Sequence, residues 1–243
     1  MYESTDLAQA PLESGQSVMQ GATGSPPAPH PQQASHVLVP IRSLGVNHRD
    51  RIARHLLALE PHDRYLRFGF SAGDEQIQRY VDSLNFERDE IFGIYNRRIE
   101  LIAMAHLAYS VDPNLAACAE FGVSVLKTAR GRGYGARLFD RAIMHARNQG
   151  VSRLFIYALS ENTVMLRIAA KAGATVQHDG SESEAHLQLQ PATFETQFSE
   201  MVAEQVAQTD YRIKVQVKQF RDLLAEVQAI RRDARDARHN MPQ

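Results

Sequence analysis

Arg130-Gly131-Arg132-Gly133-Tyr134-Gly135 lies between a strand-like run, Phe121 to Leu126, and a strongly helical one, Ala136 to Asn148. A glycine-rich turn in that position gathers unpaired backbone N–H groups and the positive end of a helix dipole at one spot, here with two arginines beside them. The stretch is therefore an anion site, suited to a phosphorylated cofactor. A Walker A loop is excluded, because the turn ends Gly135-Ala136-Arg137 and places no hydroxyl for Mg²⁺. Gly131, Gly133 and Ala136 do satisfy the Gly-x-Gly-x-x-Gly/Ala dinucleotide fingerprint. That fingerprint belongs after the first strand of a βαβ unit, whereas three strand-like segments precede this turn in hairpin-like succession. The acidic ribose ligand expected about 20 residues on is also missing, the nearest acid after the next strand being Glu161.

Working outward, an N-terminal tail over residues 1–35 is rich in Ser, Gln, Gly, Ala and Pro and carries no Lys or Arg. Such a segment buries too little apolar surface to offset chain entropy, and disorder is expected. A β-rich run, His36 to Ile41, opens the ordered part. Apolar residues Ile52, Leu56, Leu57 and Leu59 predict a first helix over Asn47 to Leu59, which Pro61 ends. Ile77, Tyr80, Val81 and Leu84 predict a second over Ala72 to Leu84. Ile91 to Tyr95 and Leu101 to Tyr109 read as a hairpin around Asn96-Arg97-Arg98. After the strand, loop and helix at Arg130 come a strand over Arg153 to Leu159, a helix over Asn162 to Lys171, and strand candidates near Ala174 and His186. Strand, two helices, three antiparallel strands, helix, strand, helix, strand is an α+β order.

Composition bounds the function classes. At 243 residues the chain holds one sizeable domain with extensions. A formal net charge of −1 points to neither nucleic acid nor an anionic membrane. The single cysteine, Cys118, cannot form an internal disulfide, which fits a reducing cytoplasm, and reads as a small buried residue. Apolar runs fall short of the roughly 18 to 20 residues of a membrane span, and the N-terminus lacks signal-peptide character. A soluble, cytoplasmic protein is expected. The ten histidines are scattered, without HExxH or paired CxxC spacing, so no metal is expected.

Over residues 36–190 the chain resembles the GNAT superfamily of acyl-CoA-dependent N-acetyltransferases, whose pyrophosphate loop reads Arg/Gln-x-x-Gly-x-Gly/Ala; Arg130, Gly133 and Gly135 fill it. A second motif, Asn162 to Ala174, is similar to the family's Asn-x-x-Ala-x-x-Leu-Tyr-x-Lys-x-Gly-Phe. Asn162, Ile168, Lys171 and Gly173 fit, while Met165, Ala169 and Ala174 depart. The resemblance implies a mixed, mostly antiparallel sheet flanked by helices, and transfer of an acetyl group from acetyl-CoA to a primary amine of a protein or small molecule by direct attack.

Site residues follow from the same likeness. Backbone groups from Arg130 through Gly131, Arg132, Gly133, Tyr134, Gly135 and Ala136 would hold the pyrophosphate, with charge from the two arginines. Val123 and Val125 would pair with the pantetheine arm as an added strand. An N–H of Val123, Ser124 or Val125 would face the oxyanion. Gly122 would mark a bulge in that strand. An amine must lose its proton before attack; Glu120 is the candidate base and His106 a second. A serine nucleophile at Ser124 is disfavoured, because Gly122-Val123-Ser124-Val125-Leu126 lacks the closing glycine of a nucleophile elbow. The family's usual acid, a tyrosine, is replaced by Ala169, leaving Tyr157 and Tyr134 as candidates or a thiolate that leaves into solvent. Asn162 serves as a cofactor ligand, a helix cap, or both. Acceptor recognition falls on the first two helices and the connection Glu60 to Phe68. The departure at Ala169 keeps a second reading open, an acyl-CoA-binding regulatory module without turnover.

Residues 193–243 form a helical extension. Val202, Val206, Ile213, Val217, Phe220, Leu224 and Val227 recur at steps of 3 and 4 except for Asp210, a short heptad seam. It packs on the chain's own domain or pairs with a second copy as a homodimer. Arg231 to Arg238 alternates in charge sign and reads as a solvated helix end.

Overall fold

The computed structural model describes residues 39–239, with side chains through residue 219. The tail over residues 1–35 and the seam side chains Phe220, Leu224 and Val227 lie outside the described part. A seven-stranded sheet runs in the order β1-β2-β3-β4-β5-β7-β6. Its strands are β1 (Arg42–Ser43), β2 (Glu90–Tyr95), β3 (Leu101–Tyr109), β4 (Cys118–Val125), β5 (Arg153–Leu159), β6 (Thr175–Asp179) and β7 (Glu182–Gln188). Every pairing is antiparallel except β4 with β5. The helices are α1 (Arg49–Leu57), α2 (Pro61–Phe68), α3 (Asp74–Ser83), α4 (Tyr134–Asn148), α5 (Thr163–Lys171) and α6 (Phe194–His239).

β2 and β3 are buried along nearly their whole length, so both sheet faces must be covered. On one face Ile52 and Leu56 of α1 meet Ile77 and Val81 of α3 over Met104. Each pair is spaced i, i+4, which places both side chains on one helical stripe. On the other face α4 lays Leu138, Phe139, Ala142 and Ala146 over the sheet, and α5 adds Met165, Leu166 and Ala169. The Phe121 and Phe139 rings, 4.9 Å apart at their centroids, pin α4 against β4. Full burial of each such side chain is worth about 1.5–3 kcal/mol. This packing fixes where the N-terminus of α4 sits.

Several local expectations are corrected. Of the β-rich run read over His36 to Ile41, residues 36–38 lie outside the described part and Val39 to Ile41 are not strand, since Pro40 has no N–H to give a ladder; β1 is Arg42–Ser43. The first helix begins as a 3-10 turn, Val46–His48, and α1 stops at Leu57. Pro61 does more than end that helix. It occupies the first turn of α2, where a missing N–H costs nothing, so the stretch read as a connection is itself helical and is closed by Gly69 at φ +80°. The second helix of the sequence reading is the shorter α3. Gly122 marks no bulge: the β3–β4 register is continuous from Ala103↔Val125 to Tyr109↔Ala119, and the shift lies at Ile94/Tyr95 of β2. Gly122 instead lies under the Arg67 guanidinium, whose carbon is 2.7 Å from where a Cβ would stand.

α6 is docked along its first half by a polar clamp. Arg141, buried on α4, donates to Glu200 (2.7 Å) and Glu204 (3.4 Å), and Asn148 bonds Thr196. Glu200 also takes hydrogen bonds from His145 and Asn148, and these partners hold its carboxyl down to about 2 despite burial. Ala207 is fully buried and Tyr211 packs on Tyr95 and Arg42. Of the seam, Val206 is half-buried, while Val202, Ile213 and Val217 are exposed.

Candidate active site

β5 accompanies β4 for only three residues, Cys118↔Arg153 to Glu120↔Phe155, and then leaves it. The Leu126 N–H donates to the Ile102 carbonyl (3.0 Å) and the Ser110 N–H to the Cys118 carbonyl (3.1 Å). By antiparallel alternation the even-numbered residues of β4 therefore bond to β3, and Phe121, Val123 and Val125 turn their N–H and C=O toward the side β5 has vacated. The result is an open strand edge inside a folded sheet.

That edge faces a cleft of about 640 Å³ lined by β4, the Arg130 loop, α2 and α5. Val123, Ser124, Val125, Arg130, Gly131, Gly133, Tyr134, Gly135, Ala136 and Asn162, all anticipated from the sequence, line it; Arg132 is exposed outside the lining. Gly131 and Gly133 have φ of +75° and +73°, a left-handed conformation that glycine adopts without strain. Gly133 is the N-cap of α4, so the positive helix end opens onto the cleft. Gly135 has no such backbone demand; a Cβ there would sit 3.4 Å from Ile168. Asn162 caps α5, its Oδ1 accepting from the Met165 N–H (3.2 Å), and still lines the cleft.

Two ion pairs join α2 to the loop: Arg130 with Asp63, and Lys127 with Glu60 (2.9 Å). Arg130 also donates from Nε to the Val125 carbonyl (3.4 Å). Asp63 is nearly buried, and its second carboxyl oxygen has no hydrogen-bond partner. Arg130 thus ties the loop to α2 across the cleft rim.

Of the four catalytic candidates, Tyr134 lines the cleft, while Glu120, His106 and Tyr157 lie outside its lining. Glu120 is exposed on the β4 face that carries Gly122 and Ser124. His106, on the neighbouring strand, is held on both sides: Nε2 lies 3.1 Å from Asp89 Oδ2 and Nδ1 2.8 Å from Tyr80 Oη. Burial and Arg67 hold His106 below its usual value, against the upward pull of Asp89. As a neutral ring it donates to Asp89 and accepts from Tyr80, which in turn accepts from Arg67 (2.9 Å). Tyr157 is 59% exposed on β5, its phenol pushed up by partial burial, Glu184 and Glu120. Ala169, at the position where a tyrosine was expected, is fully buried in the core and not a cleft residue.

One pairing escaped the sequence reading. His55, 2% exposed on α1, donates from Nδ1 to the Leu101 carbonyl (2.8 Å), which leaves Nε2 to accept the Ser124 hydroxyl (2.8 Å). Burial brings His55 down to about 4, so the ring is neutral near pH 7 and a weak base. The two residues are 69 positions apart, and no local pattern announces their meeting. Arg67, His62 and Asp63 of α2 were likewise read only as part of a connection.

Residues 55–174 match the family model described as Acetyltransferase (GNAT) family. No curated protein matches the chain. Among solved structures, the chain is similar to the GNAT domain of S. lividans PAT, with TM-score 0.54 and 18% identity over 63% of this chain and 95% of that one. Spermidine N-acetyltransferase from Vibrio cholerae, in complex with CoA and spermine, has TM-score 0.50 and 13% identity over 62% of this chain and 95% of that one. A putative acetyltransferase from Salmonella typhimurium with its cofactor acetyl-CoA has TM-score 0.50 and 14% identity, over 64% and 96%.

Proposed function

For a chain that carries a GNAT acetyltransferase domain, we propose transfer of an acetyl group from acetyl-CoA to a primary amine by direct attack in a ternary complex. The observation that carries this reading is the open edge of β4 beside a glycine loop at a helix N-terminus. The N–H groups of the loop bind the pyrophosphate, and Arg130 exchanges Asp63 for phosphate oxygens. Val123 pairs with the pantetheine amide through its free N–H and C=O, as a strand would. The same strand edge supplies the N–H that stabilises the oxyanion.

The acceptor enters from the side of α2, past His62, Asp63 and Arg67. Glu120 removes the ammonium proton through water, since its carboxylate is solvated and outside the cleft lining. His106 is a poorer base, because both its nitrogens are already engaged. With Ala169 in the core, the departing thiolate takes its proton from solvent. That substitution also favours a second reading, a module that binds acyl-CoA without turnover.

A thiol-release assay with acetyl-CoA against amines and lysine- or N-terminal peptides, with calorimetry in parallel, separates the two. Acceptor-dependent release, reduced on the order of 100-fold in kcat by Glu120→Gln, is expected. Binding without release across the panel supports the module, and absence of binding removes both readings.

A further inference from the structure

A second cavity, of about 660 Å³, lies away from the acyl-transfer cleft, between α1, the β2–β3 turn and α6. Its charged lining is one-sided: Arg51, Arg54, Arg98 and Lys218 against Glu100 alone. Glu100 is already engaged by the Asn96 amide (2.6 Å). Arg54 donates only to the backbone carbonyl of Asp50 (3.3 Å), and Arg51 to the Tyr211 hydroxyl. Among the described residues, the side chains of Arg98 and Lys218 make no hydrogen bond or ion pair. Just behind the wall, Arg42 stacks 3.8 Å from the Tyr211 ring centroid, with Nε and Nη1 buried and without partners.

Four clustered cations with one carboxylate among them repel one another on balance, and a concave, partly apolar wall concentrates their field. His48, outside the lining, is held below its ordinary value by burial and then by Arg42 and Arg51, the second of which lines the cavity. Ile99, Leu101, Leu126, Val215 and Tyr211 give the wall an apolar and aromatic part, beside the polar His55 and Gln219. Ile99 occupies φ +63°, a conformation disfavoured for a β-branched residue, and this turn presents Arg98 to the cavity. The volume falls in the range of small-molecule sites.

We propose that this second cavity binds a small organic phosphate, its phosphate held by Arg54, Arg98 and Lys218 and its organic part lying against Tyr211 and the aliphatic wall. Tyr211 and Lys218 lie on α6, beyond residues 55–174, whereas Arg98 lies within them, so the site is shared between the family-matched region and α6. The site requires α6, which supplies Tyr211 and Lys218. It is independent of turnover in the first cleft.

The test is calorimetry on the full chain without CoA, using ribose 5-phosphate and AMP as probes and inorganic phosphate as the reference, with Arg130→Ala reporting any probe bound in the Arg130 cleft. One equivalent of an organic phosphate is expected to bind, at least about 10-fold more weakly in the Arg54→Ala/Arg98→Ala double variant. Arg54→Lys/Arg98→Lys should retain binding, and Arg130→Ala should leave it unchanged. Thermal melts of each variant separate lost binding from lost folding. Absence of binding at millimolar probe, or binding abolished by Arg130→Ala and untouched by the double variant, overturns the proposal. Equal affinity for inorganic phosphate overturns the organic component.

Discussion

The two basic cavities of this protein are built in opposite ways. The cleft beside β4 takes its proposed anion-binding surface from one contiguous hexapeptide, Arg130 to Gly135, at the N-terminus of α4. The second cavity takes its charges from side chains on three separate segments, ending at Lys218. Backbone donors at a helix start survive most substitutions, whereas a side-chain cluster depends on each arginine and on the packing that brings α6 alongside. They meet at His55, which lines the second cavity while accepting from Ser124, which lines the first. Damage to the loop should therefore stay local, and damage at His55 should be felt by the fold.

The sharpest way to break the contrast is Gly133→Val. A β-branched residue at φ +73° strains the loop, and acetyl-CoA affinity by calorimetry should fall about 100-fold with ribose 5-phosphate binding unchanged. His55→Ala comes next. It leaves the Leu101 carbonyl and the Ser124 hydroxyl without their partner in a buried setting and should cost about 2 kcal/mol in urea unfolding at pH 7.

The pH dependence identifies that effect. His55 binds a proton less readily folded, at about 4, than unfolded, at 6.5, so its contribution is complete above pH 6.5 and is lost as pH falls toward 4. The variant's stability should be flatter across that window.

Glu200→Gln weakens the clamp that holds α6. It should destabilise by roughly 1–2 kcal/mol, since Arg141 then lacks its nearest carboxylate, and should loosen the second cavity before the first. The native contribution of Glu200, whose carboxyl is lowered from 4.5 to about 2, is present above pH 4.5 and disappears as pH falls toward 2. The smallest effect is expected from Tyr157→Phe. With the phenol exposed and outside the cleft, kcat should change by less than about 3-fold, and a loss near 100-fold would restore Tyr157 as the acid.

How much was legible follows from the same division. The loop, β5 at Arg153 to Leu159 and the helix of α4 could be read from glycine placement and apolar period, because those signals are local. α2 was missed because Pro61 both stops one helix and starts the next, and an eight-residue helix offers too few turns to show its period. The supposed bulge at Gly122 failed for a different reason. A glycine within a strand signals close approach as well as a bulge, and here the approaching group is the Arg67 guanidinium from α2.

By itself the sequence determined the glycine turn ahead of α4, the α+β order of elements and the helical character of the C-terminal segment, since each rests on dihedral preference or on apolar spacing within one stretch of chain. Only the tertiary structure decided that β5 parts from β4 after Glu120 to leave Val123 unpaired, that Arg130 is tied to Asp63, and that Ser124 meets His55. It also brought α6 against α1 and the β2–β3 turn, so that Arg54, Arg98 and Lys218 share one cavity. Each of these depends on which faces pack together, and that is set by the summed burial of distant residues and not by any neighbour along the chain.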